Sequence, residues 1–425
     1  MYDKIFINAL CWQKKIIFCL ALFLSCSFAP LKGESPSALY LTWVHDPATT
    51  IVVNWQTAKN ERDTLLKYRV AGGGEWRHSQ GEARRLSDCP FLLHSVELQQ
   101  LEADREYEFQ IGSKEAIYRF RTMPVTLDRP VRFAVGGDAY YYLSLFRKTN
   151  AQIAACDPDF VVVGGDIAYV EGTHMSFSGK KWKMKRWRAF LQEWKRQMVT
   201  SDGRLIPIVP VLGNHDVHGI GLDPHKHKQY FYEFFSFPED KIPYRAIDFG
   251  DYMSLVILDS GHSYPIKGVQ TQWLKETLAE RENLPYTMAL YHVGAFPAFY
   301  PYKAAAAALI RKEWVPLFER YQINLAFEHH SHTYKRTYPI KGEKVDAGGI
   351  VYLGDGSWGV KPRKPREDLW YTAKVKQCNC FYLVLLQKES CKVEAFNSDG
   401  MVFDGVCTFP KPASRSCPQE RLLQY

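Results

Sequence analysis

Phe160-Val-Val-Val163 runs without a break into Gly164-Gly165-Asp166-Ile-Ala-Tyr169. A short β-branched run that ends in two glycines and a carboxylate reads as a buried strand emptying into a tight turn. The same grammar recurs. Val131–Val135 meets Gly136-Gly137-Asp138, and Ile206–Val211 meets Leu212-Gly213-Asn214-His215-Asp216. Tyr286–Leu290 meets Tyr291-His292, and Ile323–Phe327 meets Glu328-His329-His330-Ser331-His332. Leu255–Leu258 and Ile350–Leu353 are further strands of the same kind. Helical candidates lie between them at Gln270–Arg281 and Ala304–Tyr321. Strands alternating with helices predict a layered α/β domain, sheets flanked by helices. Ligands of open α/β sheets bind beyond the carboxyl ends of the strands, so the five turns are expected to converge on one edge.

The residue types at those turns suit metal ions. Two aspartates, an asparagine, three histidines and a tyrosine (Asp138, Asp166, Tyr169, Asn214, His292, His330 and His332) exceed one tetrahedral site. They fit two ions roughly 3.5 Å apart sharing a carboxylate. A single Gly-Asp after a strand is commonly a helix cap. Five such turns in series, all bearing oxygen or nitrogen donors, have no comparable explanation in packing. A phenolate ligand favours a strongly Lewis-acidic ion such as ferric iron.

Upstream the pattern differs. Leu39–Trp43, Ile51–Trp55, Lys67–Val70, Tyr107–Ile111 and Tyr118–Arg121 are short alternating strands divided by turn residues, which predicts a small β-sandwich over 36–124. Leu101-x5-Tyr107 is similar to the tyrosine corner of fibronectin type III domains. The second domain is set at 128–400, followed by a cysteine-containing tail over 401–425. Within the second domain, Trp187, Phe190, Leu191, Trp194 and Met198 line one face of a basic helix over 180–198. That period marks a core stripe with a solvated face, not a nucleic-acid surface.

Lys14 and Lys15 precede the apolar run Ile16–Phe28, which is too short to span a bilayer and has the form of a signal peptide over 1–33. The expected location is therefore secreted, periplasmic or extracellular, with no transmembrane segment left after cleavage. The formal charge of +8 falls to +5 when four lysines and one aspartate leave with the leader. That mild excess fits anionic substrates without requiring nucleic acid. Three of ten cysteines leave as well, and five of the rest crowd into the last fifty residues, where export allows disulfides.

Together these motifs resemble the metallophosphoesterase signature in its purple acid phosphatase form, over about 130–360, and the sandwich before it is similar to the one that family carries. The resemblance implies a binuclear centre: Fe(III) on Asp138, Tyr169, His332 and bridging Asp166, and divalent iron, zinc or manganese on Asp166, Asn214, His292 and His330. It implies hydrolysis of small phosphate monoesters, acid phosphatase type, by a metal-bound hydroxide attacking phosphorus. His215, beside Asp216, is expected to contact the phosphate together with Asn214 and to steady the leaving group, with His329 as a second proton donor. Lys361, Arg363, Lys364 and Arg366 are placed to draw in anions. A second copy of the chain is an open partner. Three positions depart from the family: Tyr140 stands for glycine, His329 stands for glycine, and Val293–Tyr302 lacks further histidines. The alternatives are a manganese or zinc phosphodiesterase or pyrophosphatase of the same superfamily, and a secreted binding protein with a decayed site.

Overall fold

Alternating strands fold residues 38–121 into two four-stranded antiparallel sheets. The computed structural model describes residues 36–86, 89–172, 179–218, 229–235, 237 and 242–412; the expected leader and Cys417 lie outside them. In the first sheet Ile51–Ala58 lies between Ala38–Thr42 and Phe91–Leu98, with Glu82–Arg85 on the far edge. In the second, Leu66–Val70 and Glu106–Ile111 lie inside Arg77–Ser79 and Tyr118–Arg121. The Tyr107 hydroxyl accepts from the Glu102 N–H at 2.8 Å, tying the strand back to its approach loop.

The second domain is built on two larger mixed sheets. Val131–Gly136, Phe160–Gly164 and Ile208–Val211 are parallel neighbours in a six-stranded sheet. Met253–Ile257, Tyr286–Val293, Leu325–His329 and Val351–Gly354 are parallel neighbours in a seven-stranded sheet. Their inner faces share one core, with Phe133, Val135 and Val162 from one sheet joining Leu255, Met288, Leu290 and Phe327 from the other. That core continues into the sandwich. Trp43 stands edge-on to Phe160 and Phe249, and the Arg245 guanidinium donates to the Trp43 carbonyl at 2.9 Å.

Helices cover the outer faces. Lys180–Gln197 buries Trp187, Phe190, Leu191 and Trp194, the stripe read from the sequence. The helix expected over 304–321 is two helices, Ala305–Glu313 and Val315–Arg320, because Pro316 near the start of the second has no N–H to continue the first. Leu143–Ala155, not anticipated, is a helix that buries Phe146, Asn150 and Ile153 at i, i+4 and i+7.

The boundary expected at 400 moves. Val402–Thr408 pairs antiparallel with Cys391–Asn397 and forms the outer strand of the six-stranded sheet, so it belongs to the second domain and not to a tail. Its residues are half-exposed, which is why no apolar run announces it. Cys378, Cys380, Cys391 and Cys407 are not in disulfides. Cys391 is opposite Thr408 and Cys407 opposite Lys392, one place apart in register, so the two thiols point to opposite faces.

Candidate metal centre

Each sheet contributes half of one cluster. Asp138, Asp166 and Asn214 follow the three parallel strands of the six-stranded sheet; in the seven-stranded sheet His292 is the last residue but one of Tyr286–Val293, and His330 and His332 follow Leu325–His329. The backbone bends hard to present them. Among the described residues ten non-glycines have positive φ, and five are Asp138, Asp166, Tyr169, His330 and His332, at 52–66°. Such conformations cost of order 1–3 kcal/mol each and persist where the surroundings over-determine them. Two glycines make room. A Cβ on Gly213 would lie 2.2 Å from the Asp166 nitrogen, and one on Gly356 (φ 54°) 2.7 Å from Asp138 Oδ2.

Three side chains meet at one end. The Tyr169 hydroxyl donates to Asp138 Oδ1 at 2.7 Å and lies 3.1 Å from His332 Nε2, which is 2.8 Å from the same carboxylate oxygen. The His330 N–H donates to Asp138 Oδ2 at 3.0 Å, joining this end to the other. There the donor atoms of Asp166, His292 and His330 lie within 4.8 Å of one another. His292 is oriented by its Nδ1, 2.9 Å from the Gly164 carbonyl, which turns Nε2 toward Asp166 Oδ2 at 3.2 Å.

The electrostatics follow from this crowding. Burial works against every charge here, yet His292 is lifted to about 10 by the Asp166 and Asp138 carboxylates. His330 is pushed down to about 3 by burial and then by His292. Burial, reinforced by the Asp138 and Asp166 charges, holds the Tyr169 phenol well above its ordinary range.

Asp166 Oδ2, Asn214 Oδ1 and His292 Nε2 are buried and make no well-formed hydrogen bond, the first and third facing each other only as an ion pair at 3.2 Å. Unsatisfied buried polar atoms are rare, and a cation shared by two oxygens and an imidazole nitrogen satisfies all three at once. The donor set fits a metal centre.

The residues expected to assist divide. His215 Nδ1 donates to the Glu171 carbonyl at 2.5 Å, its ring stacks on Tyr169, and Nε2 lies 3.8 Å from Asp166 Oδ2 at the open side. Asp216 is 1% exposed and accepts from the N–H groups of Ile167 and Gly213, so it braces two ligand loops and does not meet substrate. His329 is corrected too. It is 2% exposed, bonded to Asp355 at 2.5 Å, with its ring against Gly137 and Gly164 behind the ligands, where it cannot pass a proton to substrate.

Tyr140 also points away. Its ring packs on Phe146 and Phe190 with the Arg186 guanidinium 5.0 Å above it. The ring that does reach the centre is Tyr141, edge-on to Tyr169 at 5.1 Å. On the opposite wall Tyr300 stacks on His330 at 4.7 Å and its hydroxyl accepts from Arg363 at 2.7 Å. Arg363 thus stands beside Tyr300 at the rim of the cluster.

A family model for the N-terminal domain of purple acid phosphatases matches residues 36–122, and one for calcineurin-like phosphoesterases matches residues 131–334. The chain is a purple acid phosphatase-like member of the calcineurin-like phosphoesterases. Purple acid phosphatase 18 of Arabidopsis thaliana is 24% identical over 321 residues, which are 72% of this chain and 68% of that protein. Purple acid phosphatase 21 of the same plant is 25% identical over 274 residues, 62% and 58% of the two chains, so this phosphoesterase spans under two thirds of that relative. A purple acid phosphatase from yellow lupin seeds shares the fold, with a TM-score of 0.71 at 16% identity over 87% of this chain and 73% of its own. The residues matched by the phosphoesterase model, 131–334, include all seven candidate donors.

Proposed function

We propose that this chain hydrolyses small phosphate monoesters at a binuclear centre of Fe(III) with divalent iron, zinc or manganese. Membership of the family makes it a hydrolase of the phosphatase type; the metal pair and the ester class are our reading. The observation that supports it most is the position of the Tyr169 hydroxyl between Asp138 and His332, beside the unpartnered atoms of Asp166, Asn214 and His292. Asp138, Tyr169 and His332 would hold the ferric ion, Asn214, His292 and His330 the divalent one, and Asp166 both. When bound, the metals supply Lewis acidity that lowers the pKa of water and neutralises phosphate charge.

The chain's own residues do the positioning. Asp166 and Asp138 are fixed by backbone N–H groups, from His215 at 2.7 Å and from His330 at 3.0 Å, so neither has to reorganise as charge develops. His215 holds its Nε2 toward the site because its other nitrogen is bound to the Glu171 carbonyl. Asn214 and His215 contact the phosphoryl oxygens, and Arg363 with exposed Lys361 raises the local concentration of anions. No helix among the described residues is long and apolar enough to cross a membrane.

Metal analysis with an absorption spectrum tests the reading, together with relative rates on phenyl phosphate and bis-phenyl phosphate. Iron content, a visible tyrosinate-to-iron band and faster monoester hydrolysis are expected. Iron-free protein with faster diester cleavage would instead assign a manganese or zinc phosphodiesterase. Asp166→Ala and His292→Ala should abolish hydrolysis; either one at full activity misplaces the site.

A further inference from the structure

The strand Met253–Ile257 is parallel to the strand carrying His292 and ends on the same edge of the sheet. Its turn, Asp259-Ser260-Gly261-His262, brings a further histidine to the centre. Asp259 is buried and folds the turn by accepting from the N–H groups of His262, Ser263 and Tyr264 at 2.7–2.8 Å. The His262 ring thereby stands edge-on to His292 at 5.7 Å, near enough to Asp166, His330 and His215 for their charges to act on it.

One nitrogen of that ring is committed within the loop. Ser260 Oγ accepts from the Val293 N–H at 2.9 Å and lies 3.0 Å from His262 Nε2, a contact in which the serine hydroxyl can be the donor. With the serine as donor the ring proton sits on Nδ1, which makes no hydrogen bond to another described residue, on a half-buried side chain. A neutral imidazole with a free N–H beside an anion-binding centre is a hydrogen-bond donor for that anion. We infer that His262 is a further substrate-contacting residue, its Nδ1–H donating to a phosphoryl or ester oxygen beside His292 and His330. This rests on the phosphatase reading above and supplies the contact that Val293–Tyr302, without histidines, does not.

The test is calorimetric binding of inorganic phosphate to the metal-loaded protein, with metal content measured for each variant. In His262→Ala the dissociation constant should rise about ten- to a hundredfold, the range for losing one hydrogen bond to a charged group, with metal content unchanged. His262→Gln, which keeps an N–H donor, should recover part of the loss. Equal phosphate binding by wild type and both variants overturns the inference, and so does metal loss in both variants with the fold intact. Ester kinetics separate the two ideas. Wild type that binds phosphate through His262 but turns over no ester sinks the hydrolase reading alone. Hydrolysis at the wild-type rate and affinity by His262→Ala sinks this inference alone, and wild type that takes up no phosphate sinks both.

Discussion

Tyr169 donates its phenolic proton to Asp138 Oδ1 at 2.7 Å while its ring lies between His215 and Tyr141. The contact joins the turn after one strand of the six-stranded sheet to the turn after its neighbour. It also separates two roles of one side chain. The ring packs, and the oxygen is the part that would bind the ferric ion of the proposed centre.

Tyr169→Phe should therefore fold normally and keep the ring contacts. Iron-loaded protein should lose its visible band and bind the ferric ion more weakly. A variant that keeps the band unchanged would assign the chromophore elsewhere.

The His329 ring occupies space that a side chain at 164 would need, since a Cβ on Gly164 would lie 1.9 Å from His329 Nε2. Gly164→Ala should cost about 1–3 kcal/mol through overpacking, measured by denaturant unfolding. In a His329→Gly background, itself destabilised by loss of the ring and its Asp355 bond, Gly164→Ala should cost little, because the three atoms nearest the added Cβ all belong to that ring. An additive double variant would refute the coupling.

The candidate site was legible in the sequence because each proposed ligand lies at or just beyond the end of an apolar strand, and strand ends converge by topology. Roles were less legible than ligands. Asp216 and His329 carry chemistry-bearing side chains within the motifs, but whether a side chain faces the cavity or the loop behind it depends on partners distant in sequence: Ile167 for one, Asp355 for the other. Tyr300 and His262 were missed for the same reason, although His262 follows a strand and obeys the pattern that identified the other five turns. In the fold, Val402–Thr408 escaped notice because an edge strand needs no buried run. The helix Leu143–Ala155 has its apolar spacing but no capping side chain at Tyr142 to mark its start.

Glu328 and Lys335 form an ion pair that is almost fully buried behind His330 and His332. Glu328 also accepts from the Tyr291 hydroxyl at 2.6 Å and from the Ala295 N–H at 2.7 Å, which fixes the segment after His292. Lys335→Met alone should destabilise the protein by about 3–5 kcal/mol by leaving the carboxylate without its countercharge. The double variant Glu328→Gln, Lys335→Met should be the more stable of the two in thermal unfolding.

Lys411 donates to the Arg281 carbonyl and to Thr287 Oγ1, and burial pushes its ammonium down to about 8 from the ordinary 10.5. Between those values the unfolded chain binds more protons than the folded one, so stability rises with pH across that window. Thermal melts from pH 8 to 10.5 should show a rise in wild type relative to Lys411→Met. Parallel curves for the two proteins would contradict the assignment.

Tyr140 is the departure most open to a metal-binding reading, since the family places glycine there, two residues after Asp138. Its surroundings oppose that reading: the residue is 8% exposed, and its ring faces Phe146, Phe190 and Arg186, away from Asp138 and His332. Removing the ring leaves a cavity between the helices Leu143–Ala155 and Lys180–Gln197. Tyr140→Gly should then lose about 3–5 kcal/mol, the range for deleting a buried aromatic side chain. Metal bound per chain and the position of any visible band should stay at wild-type values below the melting transition. A shifted band or a lost metal equivalent in folded protein would make Tyr140 a ligand; unchanged metal with reduced stability makes it core.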